Sequence, residues 1–520
     1  MKQIYKTITI SLVLIISGIL GAYAQRLSDN EADYYVNKIP NNTQVIDNLS
    51  GLDDGNDSEL ISAAIRNLSE QGGGYLQINK PQNASYIYVR GVQVLSNVHI
   101  KVNSEVTFRP WYGGNAPRNI IMFQFGGNSN VENVAFTNMD EDNTDSQSFF
   151  KVEFTGDKDS RVKFMDVLSA YNFKVSGIAF SDCYSVYSNI ECNLRKDQSR
   201  VEGDIPAQGL IKDVVSYKNH VGYGVVQIRA GKRILFKNLD GEGGITLRIE
   251  SGFTRALVSK EATIDQVVGR NIVVRKGDAA LCLSPHRAEQ GVIDVSGIKA
   301  IHSTNAVQVA AGFYDKKGGV DNLGTFSSNS IVDAITEVSG GKGAQVKTKD
   351  FTLYSCDLQN ELYANKYDNL DGESTNGYSL AVVRNNADAN NGCDGSKQGC
   401  YTIQLELPDA ADISGTHLGS KMIVYPDVDG IKCNTSSAKQ IKKAKGPSVY
   451  PNPNKGVLNV KFNGLTGVNM LKVYAVDGSL QTKVKVKPNQ QQLKISTQGW
   501  KKGNYILAFD NKKKLKVSVK

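Results

Sequence analysis

The chain has 520 residues, enough for a large core and two or three domains, and its 22% charged and 40% apolar fractions are those of a soluble protein. A count of 49 Gly against 12 Pro favours a fold with many turns. The formal charge of +8 is unevenly spread: residues 439–520 hold 18 Lys against only Asp477 and Asp510, Lys2 and Lys6 add two more charges, and the remainder nets −10, so global charge gives no support for nucleic acid or any other polyanion as a partner.

Residues 1–24 read as a secretory signal. Lys2 and Lys6 precede an apolar run over 8–20, and Ala22-Tyr23-Ala24 fits a cleavage site before Gln25. That run is short for a membrane span, and no other transmembrane segment is expected. Export permits disulfides. Of seven Cys, an odd number that leaves at least one thiol free, Cys393 and Cys400 are the best pair because they close a Gly- and Asp-rich loop. No Cys/His set has zinc spacing, and the metal content is unknown. Asp388, Asn390 and Asp394 in that loop read as a solvated turn ahead of a calcium site.

Residues 25–50 form an extended lead-in. The turn from Asp53 to Ser58 offers helix N-caps, Leu60, Ile61, Ala64, Ile65 and Leu68 keep helical spacing, and Gly72-Gly73-Gly74 stops the helix. Short strands follow over 75–78, 86–89 and 98–102. This order resembles the N-terminal cap of pectate-lyase-like right-handed β-helices. From about 131 to 309 short apolar bursts recur: Val134/Phe136, Ile178/Phe180, Val214/Val215, Ile234/Phe236, Ile272/Val274 and Ile298/Ala300. Their irregular spacing fits solenoid turns with loop insertions, one of them over 139–165.

Four segments align by their apolar residues: Val226-Gln227-Ile228-Arg229, Ile245-Thr246-Leu247-Arg248-Ile249-Glu250, Leu281-Cys282-Leu283-Ser284 and Val307-Gln308-Val309-Ala310. Stacked as parallel strands, they put Gln227, Arg248, Cys282 and Gln308 in one column. Arg229, Glu250, Ser284 and Ala310 form the next, and Gly231, Gly252, His286 and Gly312 a third. Arg229, Arg248, Arg255, Arg270, Arg275 and Arg287 would line a basic strip suited to sulfate esters.

Residues 340–433 read as an accessory region that continues or covers the coil, with strands over 350–356, 378–383 and 401–407. A linker spans 434–446. Residues 447–520 form a small β-sandwich with Pro451-Asn452-Pro453, Val473-Tyr474, Asp477-Gly478 and Gly503-Asn504-Tyr505-Ile506-Leu507. This module resembles the C-terminal sorting domain of the type IX secretion system. The resemblance implies the type IX machinery as a partner and a secreted or cell-surface location.

His220-Val221-Gly222-Tyr223-Gly224-Val225-Val226-Gln227, then Gly243-Gly244-Ile245-Thr246-Leu247-Arg248-Ile249-Glu250, then Ser284-Pro285-His286 resemble the core of glycoside hydrolase family 82, the ι-carrageenases. The resemblance implies a right-handed parallel β-helix over 25–339 that cuts the β-1,4 bond of ι-carrageenan, a sulfated galactan, with inversion. Glu250 matches the general acid, and Gln227 and His286 match polar groups of the active site. Arg248 and Tyr223 fall inside the motif, and Arg229 and Gln308 join them as substrate contacts. The chemistry requires no cofactor and leaves room for a structural calcium, sodium or chloride ion. The family's base, an Asp two residues after the acid, is here Gly252, and a substrate-side Arg is here Gln308. His286, or a loop acid such as Asp278 or Asp315, is the expected substitute base. A β-helix polysaccharide lyase and a catalytically impaired carrageenan binder are the alternatives.

Overall fold

The computed structural model describes residues 25–113, 119–156, 160–195, 205–251, 264–314, 323–415, 421–433, 448–450, 456–462, 469–487, 490, 492–510 and 513–519. The signal segment, Gly252, Arg255 and Asp315 lie outside them. Residues up to 432 form one compact unit and residues 433–520 a second.

The first unit is a parallel β-helix. Its described strands form a 15-stranded sheet and a 10-stranded sheet, each with parallel pairing throughout, and one small antiparallel pair, Ala344–Val346 with Thr375–Gly377. The apolar bursts are the rungs of the larger sheet: Val131–Asn138, Ala170–Ser181, Ala207–Asn219, Gly231–Gly243, Ile264–Arg275, Ile293–Ile301 and Ile331–Ser339 pair in that order. The four aligned segments belong to the smaller sheet, where Val226–Ile228, Ile245–Glu250, Ala279–Ser284 and Asn305–Val309 follow one another. Alternation explains the layering. Leu247, Ile249, Leu281 and Leu283 are fully buried in the coil, so the residues between them face outward.

Helix α1 (Asn56–Glu70) closes the N-terminal end with Ile61, Ala64, Ile65 and Leu68 in the common core. Its cap differs from the sequence reading. Gly55 at φ 88° holds the N-cap position without a side-chain bond, and buried Asp57 accepts from Ser50 N (2.7 Å) and Ser50 Oγ (3.0 Å). The lead-in docks along the larger sheet. Arg26 pairs with Asp294 (2.7 Å) and Asp333, Glu31 with Lys212 and Lys237, and Tyr34 packs among Leu210, Leu235 and Val268.

Two expectations need correction. The stretch 139–165 is not wholly loop: Phe150–Glu153 joins the larger sheet and Val162–Val167 the smaller one. Of the expected accessory strands, 350–356 is not one and 378–383 is strand only from Val383 on. Thr348–Leu353 is a 3-10 turn that leads into helix α2 (Cys356–Ala364), because Asp350, Phe351 and Leu353 bury together and Leu358 and Leu362 share one helical face. The accessory region both adds a small core of its own and continues the coil. Val383–Asn385 and Ile423–Val424 extend the smaller sheet, while Gln404–Leu405 and Ile413–Gly415 pair with Ile331–Ser339.

The second unit is a β module with separate three- and four-stranded antiparallel sheets among its described residues. Leu458, Val460, Leu471, Val473, Leu507 and Val517 form its core.

Candidate active site

The register supplies the site. Gln227 pairs with Arg248, Arg248 with Cys282 and Cys282 with Gln308, and Glu250 pairs with Ser284. The same column runs further than the four aligned segments. Asp166 and Glu191 precede Gln227, and Arg384 follows Gln308. Seven rungs at about 4.8 Å each make a polar strip roughly 29 Å long. Asp166 and Glu191 at its early end are matched by Lys163, and Arg384 at its late end by Asp350.

Glycines shape the turn into the central strand. Gly244 has φ 66°, and a Cβ there would lie 2.0 Å from Tyr223 O. Gly224 is equally confined, since a Cβ would lie 2.1 Å from Ile245 O. Tyr223 and the central strand therefore start from fixed positions.

Glu250 sits where the strip meets the turn after Ser284. Arg248 donates from Nε to Glu250 Oε2 at 2.6 Å, and its Nη2 lies 2.5 Å from the same oxygen. His286 Nε2 lies 3.1 Å from Glu250 Oε1. Arg248 Nη1 donates to Gly222 O at 2.6 Å, and its guanidinium lies 5.1 Å from the Tyr223 ring centre. The Glu250 side chain is 8% exposed, so it is neither sealed nor open. Burial alone would raise its pKa, but the Arg248 charge and the bonds from His286 and Arg248 outweigh burial and hold the carboxyl at about 2.

The other expected residues surround this group at different ranges. Gln227 is buried and accepts from Arg229 Nη2 at 3.3 Å, while Arg229 also lies 3.6 Å from Glu191. Gln308 stands two rungs beyond Arg248 and donates to Asp278 Oδ1 at 2.7 Å. Lys347 holds the other Asp278 oxygen at 2.6 Å. Cys282 is a packed thiol whose pKa burial pushes up to about 11. Cys393 and Cys400 form a disulfide; Cys356 and Cys433 are also disulfide-bonded, and Cys192 and Cys282 are buried free thiols. Asp388 bonds Asn390 N and Asp394 pairs with Lys397, so each serves a turn. Among the described residues no cluster of His, Cys, Asp and Glu could hold a metal ion.

The basic strip is smaller than expected. Arg229 and Arg248 line it, but Arg270 pairs with Asp29 and Asp294, and Arg275 with Asp240, on the larger sheet. Arg287 is fully buried. Sequence reasoning missed Lys163, which bonds Glu191 at 2.5 Å, and Arg384, which bonds Asp350 at 2.8 Å. It also missed Phe313, whose ring centre lies 4.3 Å from that of His286 and which is 39% exposed. Ile190-Glu191-Cys192 has the same order of apolar and polar residues as Val226-Gln227-Ile228, and that was the available signal.

Residues 448–520 match the family model described as a secretion system C-terminal sorting domain. The chain aligns with an ι-carrageenase of Alteromonas macleodii at 28% identity, over 60% of this chain and 62% of that relative. An ι-carrageenase of Zobellia galactanivorans aligns at 24% identity over 79% of this chain and 82% of its own length. The chain is ι-carrageenase-like and carries a C-terminal sorting domain. The first ι-carrageenase match spans less than two thirds of that relative. The solved structure of a 1,3-α-1,4-β-D-galactose-4-sulfate-3,6-anhydro-D-galactose-2-sulfate 4 galactohydrolase superposes with TM-score 0.62 at 22% identity, covering 79% of this chain and 97% of that one. An ι-carrageenase complexed to ι-carrageenan fragments superposes with TM-score 0.60 at 20% identity, covering 79% and 97%. These likenesses establish the shared fold of the ι-carrageenase-like unit. The sorting domain marks the chain for export to the cell surface or beyond. No described helix is long and apolar enough to cross a membrane.

Proposed function

We propose that the protein is an exported endo-glycoside hydrolase that cuts β-1,4 linkages of ι-carrageenan or a related sulfated galactan with inversion, and that Glu250 is its general acid. The contact set of Arg248, Glu250 and His286 on the polar strip carries this reading. A strip of roughly 29 Å accommodates several sugars. Arg229 and Arg248 supply planar donors for sulfate oxygens. No organic cofactor is needed, and a structural calcium, sodium or chloride ion is compatible with the proposal.

The place of His286 bears on the base. Inversion needs the water-activating group about 6.5–9.5 Å from the acid, across the sugar. His286 Nε2 touches Glu250 at 3.1 Å, which suits a group that orients the acid and not one that activates water. Asp278 has both oxygens engaged by Gln308 and Lys347. The base therefore has to approach from the far side of the bound sugar.

A reducing-sugar assay on ι-, κ- and λ-carrageenan tests the reading. New reducing ends are expected on ι-carrageenan, with an α-configured product in the first NMR spectra, and Glu250→Gln should lower the rate at least 10²-fold. A product end that absorbs in the ultraviolet would identify a lyase instead. The second reading, a carrageenan binder without turnover, draws on the ionised state of Glu250 and on Gly252 in the family's base position. Tight binding without new reducing ends would favour it.

A further inference from the structure

We propose that Arg248 couples sulfate recognition to acid catalysis: a sulfate ester of the bound galactan draws the guanidinium off Glu250, and the released carboxylate takes up one proton and becomes the acid. This rests on the reading of Glu250 as the general acid. In the free protein each Arg248 nitrogen is engaged inside the site, with Nε and Nη2 on one oxygen of Glu250 and Nη1 on Gly222 O. The side chain is 17% exposed, so a ligand in the strip can reach it. A sulfate offers several oxygens and a full charge in place of a single shared carboxylate oxygen, and it matches the planar donor fork.

Once Arg248 turns to the sulfate, burial, which favours the neutral acid, is opposed on this carboxyl chiefly by His286. Burial is the largest of these influences. The incoming sulfate adds a negative charge nearby. The other groups on the elements packed here are Cys282 on the next strand with the Asp278–Lys347 pair near it, His286 after it, Tyr223 and His220 before the central strand, and Arg229 with Glu191 on the preceding rungs. The balance closes. Solvent supplies one proton to Glu250, which passes it to the glycosidic oxygen as the C–O bond breaks. Water adds its hydroxyl to the anomeric carbon and gives its proton to the base, which returns it to solvent. A neutral galactan leaves the clamp shut, so sulfation governs the chemical step as well as binding.

Isothermal titration of the full-length protein with a ι-carrageenan tetrasaccharide at pH 7, in buffers of different ionisation enthalpy, counts the protons exchanged. Hydrolysis returns that proton to solvent, so the count is taken on the binding heat at low temperature, before turnover sets in. The expected uptake is about one proton per site for the wild type and close to zero for Glu250→Gln. In Arg248→Gln the ratio of kcat/KM for sulfated over desulfated oligosaccharide should fall at least tenfold, with desulfated substrate losing less than sulfated. Turnover without proton uptake on binding, or wild-type discrimination in Arg248→Gln, overturns the coupling alone. Absence of all turnover in the wild type overturns the hydrolase reading and the coupling together.

Discussion

Glu250 is held between opposing influences, and the balance has a consequence for stability. Its folded pKa of about 2 lies below the ordinary 4.5. A depressed carboxylate stabilises the fold above its unfolded pKa and loses that contribution as pH falls through the folded value. The window is therefore from about pH 5 down to about pH 2, and the contribution is on the order of 3 kcal/mol at about 1.4 kcal/mol per unit. Glu141, between Lys101 and Lys174, is also lowered to about 2 and adds to the same window. Buried His99, lowered to about 3 chiefly by desolvation, begins to destabilise the fold already below its ordinary 6.5. Urea midpoints measured from pH 7 to pH 2.5 should fall throughout, and Glu250→Gln should fall less steeply below pH 5. Equal slopes would show that Arg248 does not hold Glu250 as described. The column of Gln227, Arg248 and Cys282 was legible in the sequence because a ladder preserves register. The contact between His286 and Glu250 was not. The strand ends at Ser284 and His286 adopts φ 49° in the turn that follows, so the alignment put His286 in one patch with Glu250 without fixing their 3.1 Å contact.

At the scale of the element, the coil is pinned by side-chain ladders at positive-φ corners. Asn97, Asn133 and Asn172 have φ between 52° and 61°, and each amide bonds the next: Asn133 to Asn97 at 2.9 Å and Asn172 to Asn133 at 2.7 Å. Asn tolerates this region because its short polar chain satisfies nearby groups. Asn172 also accepts from Val36 N and donates to Val36 O, both at 2.8 Å, which fastens the lead-in to the corner. Asn172→Ala removes three bonds and strains the backbone, so chemical denaturation should show a loss of about 2–4 kcal/mol. Gly244→Ala should be worse for function than its volume implies. The added carbon meets backbone at Tyr223, so activity on carrageenan should drop at least tenfold while the far-UV spectrum persists. The larger sheet was readable from its bursts because each rung repeats the same apolar pair. The accessory region was misread over 350–356 because a run of alternating apolar residues fits a buried 3-10 turn as well as a strand. Its burial against residues 344–346 and 380–381 decides between them, and that contact is long-range.

For the whole molecule, two separate cores predict separable behaviour. A chain ending after Cys433 should keep the hydrolytic activity and the main unfolding transition of the full protein. The cut belongs after Cys433 and not before it, because that cysteine is disulfide-bonded. A loss of the main transition in the shortened chain would mean that the second core supports the first.

The lead-in carries one more consequence. Arg26 meets Asp294 and Asp333, whereas Val36, ten residues later, meets Asn172. This segment crosses the rungs in reverse order. A chain threaded outward from its beginning cannot seat Arg26 against both acids until more than three hundred residues have followed it. The leading end thus behaves as a latch that closes late, and a coil interrupted before residue 333 would be left with that end loose and open to proteases.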